Sequence, residues 1–137
     1  MIIRIDAKLT IGELQRNFQR QFPFLKLEFF NQPYAWEYGN EDGINYHPSF
    51  KLGKIALTPF SKSLLNVQPW HTPAQLEEKL MLDFGLIAQV YRRFEDQWIQ
   101  TDGSDDVSLS EQNELGKCSA ERCFSACNLW VEREKII

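Results

Sequence analysis

The sequence contains no apolar run approaching the roughly 18 residues that a membrane-spanning helix needs. Its start, Met1-Ile2-Ile3-Arg4-Ile5-Asp6, sets charges where a signal peptide requires unbroken apolar residues. Neither export nor a membrane partner is expected. Cysteine is scarce: Cys118, Cys123 and Cys127 are an odd number crowded towards one end, unlike the disulfide framework of a small secreted fold. These absences fit a reducing cytoplasm. Basic charge is also in deficit, with Lys+Arg at 15 against Asp+Glu at 19 and a formal net charge of -4. That balance offers no attractive field to a phosphate backbone, so nucleic acid is not an expected partner. There is no Gly-rich phosphate loop, Gly-x-Ser-x-Gly elbow, His-Glu-x-x-His pair or dinucleotide fingerprint. Enzymes built on those motifs are disfavoured, and no cofactor is implied.

What is present is an ordinary globular composition. The chain has 137 residues, 43% hydrophobic and 25% charged, and a chain of that size buries roughly two thirds of its unfolded surface as one domain. A single domain spanning residues 1–137 is the expectation.

The most informative pattern is an internal repeat of residues 2–30 in 64–92. At an offset of 62, Thr10, Leu14 and Phe22 fall on Thr72, Leu76 and Phe84, and Ile2, Ile3, Ile5 and Phe18 fall on Leu64, Leu65, Val67 and Leu80. Leu14, Phe18 and Phe22 recur every four residues, as do Leu76, Leu80 and Phe84, so each set lines one helix face. Thr10 with Glu13, and Thr72 with Gln75, have the spacing of a capping box. Pro23 and Gly85 supply the stops. An alternating strand follows each helix, at Leu25, Leu27 and Phe29 and at Leu86, Ala88 and Val90, with one residue lost after the second helix.

Two β-α-β units predict an α+β fold, a ferredoxin-like two-layer sandwich with both helices on one sheet face. Tyr91 to Ile99, with Glu95-Asp96 at its centre, extends the sheet by a hairpin. Between the repeats, Lys51 to Thr58 reads as a further strand. Ser108 with Glu111 opens another helix that Gly116 should end. A final helix from Ser119 completes a helical tail over about 108–137.

The segments Glu13-Leu14-Gln15-Arg16-Asn17-Phe18, Phe22 to Phe30, Gln89 to Trp98 and Ser110-Glu111-Gln112-Asn113 resemble a family of small bacterial cytoplasmic α+β proteins with no established activity. The resemblance implies a bacterial cytoplasmic protein and assigns no catalytic residue. The cysteine-bearing end departs from that pattern.

Candidate sites follow from residue chemistry. The connector carries Trp36, Tyr38, Tyr46 and His47, aromatics with polar tips that suit a ligand wall or an interface, although a cover over the open sheet face, which must be shielded, is the favoured reading of this segment. Cys118 at a helix start is a candidate nucleophile. Asp102, Asp105 and Asp106 lack the glycine and bidentate glutamate of an EF-hand and read as turn and cap residues. Cys123 and Cys127, four apart on an apolar stripe, read as packing rather than as metal ligands. The combined expectation is a noncatalytic binding or protein-interaction module, with a protein partner or homo-oligomer through an open strand edge. Its competitor is a small enzyme using His47, Cys118 or the Asp102/Asp105 carboxylates.

Overall fold

The computed structural model describes residues 1–31, 45–101 and 106–121. Five strands and four helices follow one another along them: β1 (Ile2–Arg4), α1 (Ile11–Gln21), β2 (Leu25–Phe30), α2 (Leu52–Ile55), β3 (Leu64–Asn66), α3 (Pro73–Phe84), β4 (Ile87–Phe94), β5 (Gln97–Gln100) and α4 (Leu109–Glu121). The α+β class stands, with two small antiparallel sheets.

Both expected capping boxes form. Thr10 accepts from the Glu13 N–H and Thr72 from the Gln75 N–H, while the Glu13 and Gln75 side chains accept from the cap backbones. Each box satisfies two otherwise orphaned donors. The helix stripes are buried as spaced: Leu14 and Phe18 on α1, and Leu76, Leu80 and Phe84 on α3, are all at most 1% exposed. They share one core with Leu25, Leu27 and Phe29 of β2 and Ala88 and Val90 of β4, so both stripes bury against the same side of that sheet.

The strand order departs from a ferredoxin-like sheet, in which β1 and β3 would lie between β2 and β4 in one layer. Among the described residues β1 pairs with β3 alone, and β2, β4 and β5 form a separate sheet with β4 central. β2 and β4 pair with each other along six positions, while β1 and β3, three residues each, pair with each other. In the β1–β3 ribbon Ile3 lies opposite Leu65, and in the larger sheet Glu28 lies opposite Gln89.

The β4–β5 hairpin forms as read, with Phe94 opposite Gln97 and Glu95 at a positive φ of 56°, the left-handed geometry that two-residue hairpin loops demand. Two expectations fail. Lys51 to Thr58 is not a strand: α2 occupies Leu52–Ile55 and only an isolated bridge joins Lys51 to Thr10. Apolar Leu52 and Ile55, three apart, bury together on one helical turn. Gly116 does not end α4, which runs on to Glu121. Its missing side chain serves packing instead, because a Cβ there would stand 2.8 Å from the Phe24 Cβ and 2.9 Å from the Phe24 carbonyl oxygen.

Candidate functional site

Of the four connector residues expected to bind, Trp36 and Tyr38 lie outside the described residues. Tyr46 is half-buried against the core, its N–H donating to the Phe29 carbonyl and its ring 5.6 Å from that of Phe50. It packs as cover on the core. His47 is exposed, and its Nδ1 accepts from the Ser49 N–H at 3.1 Å, within 2.9 Å of the Ser49 hydroxyl. The imidazole closes a local turn.

Cys118, on the last turns of α4, is disulfide-bonded. A sulfur held in a disulfide has no thiolate to attack with, which removes Cys118 as a candidate nucleophile. Cys123, Cys127, Asp102 and Asp105 lie outside the described residues. Asp106 is exposed. Among the described residues no three His, Cys, Asp or Glu side chains gather into a metal-holding group.

Two tryptophans have contrasting surroundings. On the sheet face turned away from the core, Trp98 has the Lys26 ammonium 5.1 Å and the Arg93 guanidinium 5.5 Å from its ring centre. Lys26 also lies 5.5 Å from the Tyr91 ring and 3.1 Å from the Glu28 carboxylate. Cross-strand pairing creates this ladder, because Lys26 is opposite Tyr91 and Arg93 opposite Trp98. The indole of Trp98 is thus served by cations of its own chain.

Trp70 is not. It is 70% exposed and borders an open cleft of about 530 Å³ with Pro69, Thr72, Asp106, Ser108, Ser110 and Glu111. The fold brings these distant segments together through the start of α4. The Leu109 N–H donates to the His71 carbonyl at 2.7 Å and the Ser110 N–H to the Pro69 carbonyl at 3.0 Å. The Glu111 N–H is taken by the Ser108 hydroxyl at 3.1 Å, and α3 is closed by its own capping box. Both helix starts facing the cleft therefore have these donors occupied, and the cleft's ionic character is that of Asp106 and Glu111. Sequence reading passed over Trp70, since a lone tryptophan between polar residues forms no motif.

No family model, curated protein or solved structure matches the chain.

Beside Trp70, His71 is held below its ordinary pKa, first by partial burial, then by the Lys79 and N-terminal ammonium charges. Its Nδ1 accepts from the Gln68 N–H at 3.1 Å, a bond that only the unprotonated nitrogen can make. A folded-state pKa below the unfolded value of 6.5 means that the unfolded chain binds the proton more tightly. Stability contributed here is complete above about pH 6.5 and declines as pH falls towards the lowered value, where it levels off. Urea midpoints measured at pH 7.5 and 5.5 should fall less for His71→Gln than for the wild type. An equal fall would show that the histidine does not couple to folding.

A further apolar surface lies on the β1–β3 ribbon. Ile2 and Leu64 are 64% and 54% exposed on its outward face, and the ribbon has no third strand among the described residues.

Proposed function

We propose that this chain is a noncatalytic protein-interaction module whose contact surface is centred on Trp70. The observation that carries this reading is the exposure of the indole. A tryptophan buries about 150–250 Å² when packed; leaving most of that in water forgoes roughly 3 kcal/mol at about 25 cal/mol per Å². Scattered exposed leucines are ordinary, but a tryptophan at the rim of a concave cleft has the form of an interface anchor, the residue type most enriched at binding hot spots. The competing enzyme reading has less support, because His47 is engaged with Ser49 and Cys118 is bonded.

The scaffold of the module we read as a duplicated unit. In support, Ile3 and Leu65, equivalent at an offset of 62, pair with each other, as do Glu28 and Gln89, equivalent at 61 once one residue is lost. Gln15 and Glu77, also 62 apart, each reach a strand edge: the Gln15 Nε2 donates to the Leu27 carbonyl at 2.7 Å, and the Glu77 carboxylate accepts from the Val90 N–H at 2.8 Å. Pairing of equivalent residues with each other is what a two-fold axis between similar units produces.

The test is photo-crosslinking in the cells that make the protein, with a photoreactive residue replacing Trp70 and, as a control, Lys54 on the short helix α2. Discrete protein adducts at position 70 and none at 54 are expected. Absence of adducts at 70, or the same adducts at both positions, would overturn the reading.

A further inference from the structure

We propose that the Trp70 cleft accepts a cationic side chain, an arginine or lysine carried on a segment of a partner protein. This rests on the interaction-module reading and adds the chemistry of what is bound.

The argument is one of complementarity. The described residues lining the cleft include the carboxylates Asp106 and Glu111, both exposed, and the hydroxyls of Thr72, Ser108 and Ser110, with no Lys or Arg. The neighbouring imidazole of His71 is shifted towards its neutral form by burial and nearby ammonium groups. Each helix start contributes about half a positive charge, which offsets only part of two full carboxylate charges. An anion would also need free N–H donors, and those of Leu109, Ser110, Glu111 and Gln75 are already donated within the chain. The groups that line the cleft therefore favour positive charge, and the Lys79 and N-terminal ammonium groups that act on His71 offset part of this.

The indole adds selectivity, because a guanidinium or ammonium is attracted to the face of tryptophan more than to that of other rings. Trp98 shows the same chain using this chemistry internally, with Lys26 and Arg93 at 5.1 and 5.5 Å. Around Trp70 the acceptors and the ring are present, no cation of the described residues lies over that ring, and in this proposal the partner supplies it. A guanidinium fits best, since its planar fork can lie on the indole while donating to a carboxylate and a hydroxyl.

The experiment is fluorescence anisotropy with the purified full chain and a labelled peptide of alternating arginine and serine. Its counterpart with citrulline for arginine keeps the shape and loses the charge. Expected are binding of the arginine peptide, at least tenfold weaker binding of the citrulline peptide, and at least tenfold losses for Trp70→Ala and for the Asp106→Asn, Glu111→Gln double variant. Glu78→Gln, which removes a carboxylate from α3 outside the cleft, should leave affinity unchanged. Thermal melts verify that each variant is folded, and Trp70→Phe, which keeps a weaker ring, should retain part of the affinity. Equal binding of both peptides, equal loss on Glu78→Gln, or no binding by the wild type would overturn the proposal. Crosslinked adducts at position 70 without peptide binding would refute the cationic chemistry and leave the module standing. Peptide binding without adducts in cells would overturn the module, and with it this inference.

Discussion

Replacing Phe84 by alanine should lower the unfolding free energy by about 3–5 kcal/mol, the usual loss when a large buried aromatic is truncated and its site collapses only partly. Phe84 is 0% exposed. It closes the apolar stripe of α3 and lies edge-on to Phe60, with centroids 5.4 Å apart and planes at 84°, a geometry that adds attraction beyond area. The Phe60 ring comes from the segment between α2 and β3, so one truncation loosens the helix and that connection together. Phe22, at the end of α1, is 2% exposed and 5.3 Å from Phe18, and its truncation belongs in the same range. Urea unfolding followed by far-ultraviolet circular dichroism measures both changes. A loss below about 1 kcal/mol at Phe84 would be incompatible with a closely packed site there.

Gly85→Ala should cost about 2–5 kcal/mol for two reasons acting at once. The residue caps α3 at φ 63° and ψ 29°, with its N–H donating to the carbonyls of Leu80 and Met81. A side chain in that left-handed conformation costs roughly 1–2 kcal/mol. The added Cβ would also press on the Thr58 hydroxyl and stand 2.6 Å from the Thr58 backbone nitrogen, and forcing atoms into a closed space costs typically 1–3 kcal/mol more. Backbone holds that neighbour in place, because the Leu57 N–H donates to the Gly85 carbonyl at 2.9 Å. Thr58→Ala should therefore restore only part of the loss, as it removes the hydroxyl and leaves the nitrogen. The same denaturant melts decide the matter, and a Gly85→Ala protein as stable as the wild type would contradict both causes.

Gly116, Leu52 and Ile55 depart from their local pattern for one physical reason, that packing prevails over it. Gly116 has the character of a helix stop, yet α4 passes through it because a close approach to Phe24 rewards a missing side chain more than local conformational freedom penalises it. Leu52 and Ile55 read as part of a strand, but burial of both on a single turn of α2 prevails over that weak pattern. Tyr46 and His47 were chosen for their chemistry alone. What each touches, the core in one case and Ser49 in the other, depends on the path of the chain. Trp70 had no local feature to mark it.

Local pattern sufficed for α1 and α3, their caps, their buried stripes and the β4–β5 turn, because each depends on groups only a few residues apart. The α+β class followed from the alternation of those elements. Tertiary structure alone decided that β2 joins β4 while β1 joins β3, since strand partners far apart in sequence are selected by the burial of their apolar faces. It also decided the cleft. Pro69 and Trp70 meet Asp106 and Glu111 only because the first N–H groups of α4 dock on the carbonyls of the loop before α3, a contact between backbone groups that leaves no signature in side-chain identity.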